Sequence, residues 1–331
     1  MNLTSLQALL PDHMVRPAAM SDVPELHALV ERVNMATLGR VDTSEAELRD
    51  DLTGPHFDMS LDTVVAVNPH SQVVAYGQGH DEHTGTGWID IYLDPAFDDV
   101  TFDSLADALI ATCAARIQES AQTRGAAAVK LLANLYEVEV QMRKAYERNG
   151  FHVETVYWRM VLTFHPEDEL ESPAVPHGYE IRRVDPDDDL VMQQGFELYQ
   201  DTFSEHHGFE DADMSLELFA QGWRSAGSYD REAWWFAYEG DQPVGMLMGD
   251  NRRLEQGEGF VRNLGVRKPL RGKGIARALL LTAIAHWREL GRSGVQLGVD
   301  TANVTGATRL YESVGMRSLL SAIALERTLT V

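Results

Sequence analysis

The chain has 331 residues, of which 44% are hydrophobic and 24% charged, a composition typical of folded globular proteins and not of disordered or fibrous ones. Its 51 acidic residues outnumber 28 basic residues, which gives a net charge of −23 at pH 7. This charge repels phosphate backbones and anionic lipids, so we expect neither nucleic acid nor a membrane as a partner.

The N-terminal segment carries no positive charge before Arg16, and the chain contains no run of about 18 apolar residues. Neither a signal peptide nor a membrane-spanning helix is therefore expected, and the prediction is a cytoplasmic protein. The length exceeds that of one ordinary globular unit, which favours two domains.

The two halves of the sequence resemble each other at an offset of about 165 to 170 residues. Three pairs of segments match in the same order: Met14–Arg16 with Tyr179–Arg182, Val73–Gly79 with Pro243–Gly249, and Tyr146–Phe151 with Tyr311–Met316. In both halves, strand-like runs alternate with longer helical patterns, which predicts a mixed sheet with helices. The chain thus reads as a tandem duplication.

The first half contains an aspartate-rich segment. Residues 88–103 include no lysine or arginine and five aspartates, namely Asp90, Asp94, Asp98, Asp99 and Asp103. A diphosphate would be repelled there. We expect this half to keep the fold without a phosphate-binding function, which makes Tyr146 a structural residue.

The sequence offers no disulfide and no clear metal site. Cys113 is the single cysteine and lies in an apolar stretch, which predicts core packing. His80 with His83, and His206 with His207, each lack a third ligand, so no metal is predicted.

Residues 165–178 contain three prolines and four acids, which predicts an extended linker. We place the domain boundary there, with residues 1–170 as the first domain and 171–331 as the second. Further along, residues 201–213 carry five acids and no lysine or arginine. These acids are either a solvated helix end or an electronegative mouth that attracts a cationic amine.

The most informative segment is residues 260–280, which read as a strand, a glycine-rich loop and a helix. Gly272 and Gly274 allow the backbone to turn its amides towards a ligand, and the start of the following helix presents unpaired N–H groups. Five basic residues and no acid lie between Arg262 and Lys273. This local reversal of the overall charge predicts an anion-binding loop.

The loop Arg271-Gly-Lys-Gly274-Ile-Ala276 resembles the acyl-CoA pyrophosphate loop of the GNAT N-acetyltransferases, whose pattern is [QR]xxGx[GA]. The segment from Gly298 to Met316, with Asn303, Leu310, Tyr311 and Gly315, resembles the second motif of that superfamily. The resemblance covers about residues 240–318. The spacing from Asn303 to Tyr311 is one residue longer than the commonest family spacing.

The resemblance implies an α+β (mixed α/β) fold of two tandem GNAT-like domains, each with a central mixed, largely antiparallel sheet flanked by helices. It also implies acetyl-CoA as co-substrate and a small-molecule amine as acceptor. The oligomeric state is predicted as monomer or homodimer.

The resemblance also assigns roles to individual residues. The backbone of Leu264, Gly265 and Val266 would hold the pantetheine arm, and the Val266 N–H would polarise the thioester carbonyl. The pyrophosphate would lie on the loop, whose residues are Arg271, Gly272, Lys273, Gly274, Ile275 and Ala276. Asn303 would also contact the cofactor. The Tyr311 phenol would protonate the departing sulfur, although its helical spacing alone also fits a core tyrosine.

A general base is harder to assign. Glu258, just ahead of the cofactor strand, and Asp300, after the strand Val295–Val299, are the candidates, and both also fit ordinary strand-end carboxylates. A water chain is a third way for the amine to lose its proton.

Three functions remain open at this point. The first is acetyl transfer to a primary amine of a small molecule. The second is acetylation of a cysteinyl glycoside, because a degenerate first half with a competent second half resembles the mycothiol synthases. The third is a non-catalytic acyl-CoA sensor.

Overall fold

The computed structural model describes residues 3–54, 57–83, 85–167, 169, 171–203, 214–301 and 306–331. Contacts within the chain divide it into two compact units. Unit 1 consists of Met1–Val156 and Ser321–Val331, and unit 2 consists of Tyr157–Leu320. Among the described residues, we find no helix that is both long enough and apolar enough to cross a membrane.

The first half of the chain forms six helices and six strands within the described ranges. In chain order these are α1 (Thr4–Leu9), β1 (Met14–Arg16), α2 (Val23–Leu38), α3 (Glu45–Asp51), α4 (Met59–Asp62), β2 (Thr63–Val67), β3 (Val73–Asp81), β4 (Thr86–Leu93), α5 (Asp99–Thr123), β5 (Ala128–Tyr136), α6 (Val140–Arg148) and β6 (His152–Thr163).

The second half repeats this succession with fewer helices before its second strand. Its elements are β7 (Glu180–Arg183), α7 (Asp189–Phe203), α8 (Leu216–Arg224), β8 (Trp234–Glu239), β9 (Gln242–Asp250), β10 (Glu258–Val266), α9 (Ile275–Glu289), β11 (Gly294–Asp300), α10 (Ala307–Ser313) and β12 (Arg317–Thr330).

Strand pairing follows the same plan in both units. In unit 1, β1 to β4 form antiparallel neighbours, and β4 then pairs in parallel with β5. In unit 2, β7 to β10 form antiparallel neighbours, and β10 then pairs in parallel with β11. The predicted α+β fold, with mixed and largely antiparallel sheets flanked by helices, is confirmed.

The outermost pairing in each unit uses a strand from the other half of the sequence. In unit 1, β5 pairs antiparallel with residues 322–330 of β12. In unit 2, β11 pairs antiparallel with residues 157–163 of β6. The unit boundaries therefore lie at Val156 and Ser321 and differ from the predicted boundary between residues 170 and 171, because strand pairing outweighs the position of the linker.

One helix in each unit supplies much of the core. Helix α5 buries Leu105, Leu109 and Cys113 completely or almost so, which confirms the core position predicted for the cysteine. Helix α9 buries Leu279 and Leu280 in the same way. Leu290, which helical spacing places on the same face, is 55% exposed because α9 ends at Glu289.

Candidate active site

A gap opens in unit 2 where two parallel strands part. Strands β10 and β11 pair over only four residues, from Glu258 opposite Gly294 to Val261 opposite Leu297. Beyond these residues β10 continues along β9, and β11 continues along β6. Beyond Val261 and Leu297, the backbone groups on the facing edges of β10 and β11 therefore do not pair with each other.

A cavity of about 490 Å³ occupies this gap. It is lined by the C-terminal halves of β10 and β11, the loop after β10, the first turn of α9, helix α10 and the end of α7. Ten of the predicted site residues line it, namely Leu264, Gly265, Val266, Arg271, Gly272, Gly274, Ile275, Ala276, Asp300 and Tyr311. The structure thus brings most of the predicted site together.

The loop after β10 ends in a helix start with exposed amides. Gly272 and Gly274 have φ angles of 78° and 85°, which L-residues with side chains rarely adopt. Gly274 is the N-cap of α9 and provides no side chain to bond the first-turn amides. The first N–H groups of α9 therefore lie open beside the cavity, where the helix dipole favours an anion.

Two basic side chains of the loop have partners within the protein. The Arg271 guanidinium donates from Nε to the carbonyl of Val266 and from an Nη atom to the carbonyl of Thr202, both at 3.2 Å. Arg271 thus ties the loop to the ends of β10 and α7. Lys273 does not line the cavity, and its Nζ lies 3.2 Å from the Tyr179 hydroxyl. The donors that the loop and the start of α9 leave open beside the cavity are therefore mainly backbone amides.

The edge of β10 that faces the cavity offers N–H groups of alternate residues. The Arg267 N–H donates to Val244 at the β9 edge, and backbone groups alternate in direction along a strand. The N–H groups of Leu264 and Val266 therefore face away from β9, towards the gap. The Val266 carbonyl accepts a hydrogen bond from Arg271. The Val266 N–H is then the backbone group of this residue that can bond a ligand in the gap.

Gly265 permits a close approach between β10 and α7. A Cβ at this position would lie 2.4 Å from Oγ1 of Thr202, which is 2% exposed and donates its hydroxyl to Leu198. A side chain at residue 265 would therefore push α7 away from the cavity.

Tyr311 lies on α10 with its ring 7% exposed and against the cavity. Burial raises the pKa of its phenol to about 12, so the group stays protonated at neutral pH. Its hydroxyl makes no hydrogen bond with any residue that the structure describes. A protonated, unbonded hydroxyl is suited to donate a proton to a ligand.

The two candidate bases lie in different places. Asp300 ends β11, lines the cavity and is in register with Tyr157 of β6. Glu258 begins β10 and accepts a hydrogen bond from the Gln296 side chain. It lies eight residues before Val266, about 26 Å along the strand, and does not line the cavity. Glu258 is thus separated from Val266 by the length of β10.

Some predicted features lie outside the described residues. They are Asn303, both histidines of the pair His206 and His207, and most of the acidic segment 201–213. Asp201 is described, and its carboxylate pairs with Arg267 at 3.1 Å.

The structure adds cavity residues that the sequence did not assign. Tyr157, Thr202, Phe203 and Arg262 line the cavity. Tyr157 belongs to the predicted first domain, so its position follows only from the pairing of β6 with β11. Arg262 is the first of the five basic residues from Arg262 to Lys273, and this cluster was the one available signal.

In unit 1, a carboxylate of the chain caps the start of the corresponding helix, α5. Asp98 is the N-cap of α5 and accepts hydrogen bonds from the amides of Val100 and Thr101, both at 3.1 Å. The bonds from Thr101 and these amides hold the pKa of the Asp98 carboxyl below its usual value. An aspartate of the chain thus takes the place that unit 2 leaves open.

Parted parallel strands, an uncapped helix start after a glycine-rich loop, and a protonated tyrosine on the next helix are arranged as the resemblance to the GNAT acetyltransferases implies. Residues 192–316 match the sequence profile of the Acetyltransferase (GNAT) family. The chain therefore contains a GNAT acetyltransferase domain. Enzymes of this family use acetyl-CoA as co-substrate.

One curated relative and two solved structures show what the chain resembles. Mycothiol acetyltransferase of Thermobispora bispora is 31% identical over 150 residues, which are 44% of this chain and 49% of that protein. The match thus spans about half the length of that relative.

The structural matches extend over almost the whole chain. A GCN5-related N-acetyltransferase from Sphaerobacter thermophilus is 24% identical, with a TM-score of 0.80 over 97% of this chain and 96% of that one. A tandem GNAT protein from the clavulanic acid biosynthesis pathway is 14% identical, with a TM-score of 0.69 over 96% and 98%. At these identities the likeness shows the fold, here a tandem GNAT fold.

Proposed function

We propose that the protein is an acetyl-CoA-dependent N-acetyltransferase that acts on a primary amine of a small molecule, by direct transfer in a ternary complex. One observation carries the proposal: an open helix start and a protonated Tyr311, whose hydroxyl has no hydrogen-bond partner among the described residues, line the same cavity. Binding of a diphosphate and donation of a proton are thereby available within one site.

Residues of the cavity fit the co-substrate by their chemistry. The amides of Gly274, Ile275 and Ala276 would hold the diphosphate at the positive end of α9. The edge of β10 at Leu264 and Val266 would bind the pantetheine amides as a further strand binds a sheet. Acetyl-CoA, when bound, supplies an acetyl group activated as a thioester.

The protein's own groups would assist each change in charge during transfer. The Val266 N–H donates to the carbonyl oxygen as negative charge develops there. Tyr311 donates its phenolic proton to the sulfur as the carbon–sulfur bond breaks and the carbon–nitrogen bond forms. We propose Asp300 as the group that accepts the proton lost by the amine, directly or through water.

The first unit would then have no cofactor role, because the Asp98 carboxylate occupies its helix start. We propose that one acetyl-CoA binds per chain, in unit 2.

The proposal is tested by incubating the purified protein with acetyl-CoA and a broad panel of amines while free CoA thiol is measured. A family enzyme of known activity serves as positive control. Acetyl-CoA binding is measured separately by titration calorimetry. Thiol release with at least one amine, and one binding site per chain, are the expected results. Binding without any release would favour the sensor function instead.

Arg271→Glu tests the loop. It removes the bonds to the carbonyls of Val266 and Thr202 and brings a negative charge beside the diphosphate site. We expect acetyl-CoA binding to be lost.

A second candidate acceptor is a cysteinyl glycoside of the mycothiol type. It is favoured by the 31% identity to a mycothiol acetyltransferase. Thiol release with a cysteinyl glycoside at a kcat/KM well above that of other amines would establish it.

A further inference from the structure

Arg262 enters the cavity from an irregularity in β10. The register between β10 and β9 shifts between Val261 and Asn263, which makes Arg262 the extra residue of a β-bulge. Its side chain is exposed and lines the cavity. The guanidinium lies over the Trp223 ring of α8, 4.3 Å from the ring centroid. The bulge and the indole together hold this cation in place.

Arg262 differs from the other arginines that line the cavity. Arg271 is bonded to two carbonyls, and Arg277 is paired with Glu171. For Arg262 we find no ion pair with any residue in the described part of the chain. Among the described residues it is therefore a positive charge without an ion-pair partner, in a protein whose net charge is −23.

The carboxylate of Asp250, whose charge acts on Arg262, is already engaged elsewhere. Asp250, which is 1% exposed, binds Arg252 through three hydrogen bonds of 2.7 to 3.0 Å. Although Arg262 is open to the cavity, the protein atoms around it desolvate its guanidinium, which lowers the pKa of Arg262, and the charge of Arg252 lowers it further. Asp250 and Tyr199 act in the opposite direction. Within the described part of the chain, no carboxylate forms an ion pair with Arg262.

Arg262 lies at the end of the cavity that is farther from the glycine-rich loop Arg271–Ala276. It precedes Val266 by four residues, about 13 Å along the strand, whereas Gly272 follows Val266. A co-substrate that extends from the loop to Val266 would leave the Arg262 end to the acceptor.

We propose that Arg262 binds an anionic group, a carboxylate or phosphate, on the acceptor amine and so selects acceptors of that class. The inference rests on the proposed N-acetyltransferase function. A guanidinium forms paired hydrogen bonds with either group, and its stacking on Trp223 leaves its N–H edges for them. The acceptor thus carries an amine to be acetylated and an anion to be anchored.

The experiment compares amines that differ only in the anion. One arm uses α-amino acids and their α-amides, and a second uses an amino sugar and its 6-phosphate. The wild-type protein is expected to favour the anionic member of at least one arm by about 10- to 100-fold in kcat/KM. The arm that responds identifies the anion as carboxylate or phosphate.

Three variants at residue 262 separate charge from packing. Arg262→Gln should abolish the preference for the anionic member, and Arg262→Lys should retain part of it. Arg262→Glu should reverse it in favour of amines with a second positive charge. Arg309→Gln is the matched control, because Arg309 is exposed on α10 and does not line the cavity. Thermal melts verify that all variants fold.

Equal use of both members of every pair by the wild type, or an unchanged preference in Arg262→Gln, would overturn the inference. Preferred use of a cysteinyl glycoside, which carries no anion, would do the same. If no amine is acetylated, the proposed function fails. Calorimetric titration of each acid and amide into CoA-saturated protein then decides the role of Arg262, and equal binding by wild type and Arg262→Gln contradicts it.

Discussion

Tyr146 and Tyr311 occupy matching positions in the two repeats but differ in one hydrogen bond. The Tyr146 hydroxyl donates to the Ile89 carbonyl at 3.1 Å, and its ring is fully buried against Phe151. The Tyr311 hydroxyl has no such bond among the described residues and faces a cavity. The same residue type is thus structural in unit 1 and available for chemistry in unit 2.

Tyr311→Phe is expected to lower turnover about 100-fold with little change in acetyl-CoA affinity, because the variant loses only the proton donor. Tyr146→Phe is the matched control. It should keep full turnover and lose about 1 kcal/mol of unfolding free energy, because the Ile89 carbonyl loses its donor. Steady-state thiol release, calorimetry and urea unfolding measure these quantities. Full turnover in Tyr311→Phe would exclude the phenol as the acid.

Glu139 of unit 1 gives a pH-dependent prediction. Burial raises the pKa of its carboxyl to about 7, although the Tyr136 N–H that donates to it acts in the opposite direction. Because the folded protein favours the protonated carboxyl, this group stabilises the folded state fully below about pH 4.5. That stabilisation is lost as the pH rises through 7.

Glu139→Gln removes the ionisation and keeps an oxygen for the Tyr136 N–H. We expect it to stabilise the protein at pH 8 by about 1 to 3 kcal/mol and to have little effect at pH 4.5. Urea unfolding at both pH values tests this, with the exposed Glu137→Gln as control. An equal effect of Glu139→Gln at the two pH values would refute the role of ionisation.

At the residue scale, the sequence predicted those site residues whose function depends on local backbone. Gly272, Gly274 and Tyr311 belong to continuous motifs and lie where expected. Glu258, one of the two candidate bases, begins β10 and does not line the cavity, and this position depends on where the strand begins. Arg262 was not singled out, because its bulge depends on register with β9.

At the scale of single elements, the two units differ in how they treat one helix start. In unit 1, the Asp98 carboxylate bonds the first amides of α5, and in unit 2, Gly274 leaves those of α9 open. Sequence reasoning predicted this contrast from charge alone, since aspartates replace the basic loop. The capping geometry supplies a physical cause, because a carboxylate of the chain satisfies donors that an external diphosphate would otherwise bind.

Gly272→Asp, with Gly272→Asn as its matched control, tests the open helix start. Both residues accept a positive φ better than most, and a Cβ at Gly272 would meet no atom within 4 Å. The two variants should be equally stable. The Gly272→Asp protein should bind acetyl-CoA at least about tenfold more weakly than the Gly272→Asn protein, because the carboxylate repels the diphosphate. Calorimetry at low and high salt measures this, and the difference should narrow at high salt. Equal affinities would argue against an anion at this loop.

At the scale of the whole molecule, strands β6 and β12 complete units that the linear sequence does not predict. Each of the two strands is the last strand of its repeat. The local sequence pattern is therefore equally compatible with either strand as the partner of β5 or of β11. The choice depends on contacts between residues far apart in sequence, such as Leu297 with Met160 and Leu325 with Ala133. Periodicity and linker composition carry no information on that choice, so the predicted boundary followed the linker.

The exchange of strands predicts how fragments behave. The fragment 171–331 lacks the part of β6 that pairs with β11, and the fragment 1–170 lacks β12. Each should be unstable alone, because an edge strand of its sheet loses its partner together with the side chains packed on it. Produced together, the two should associate in a 1:1 complex that unfolds cooperatively and binds acetyl-CoA.

The fragment 157–320 is the matched comparison, because it retains β6 beside β11 and every residue that lines the cavity. We expect it to bind acetyl-CoA within about tenfold of the full chain, whereas 171–331 alone should not. Size-exclusion chromatography, circular dichroism melts and calorimetry report these outcomes. A monomeric 171–331 with a cooperative melt and full affinity would show that β12 can close on β11. The two halves would then be independent domains, and the exchange would contribute nothing to the stability of the site.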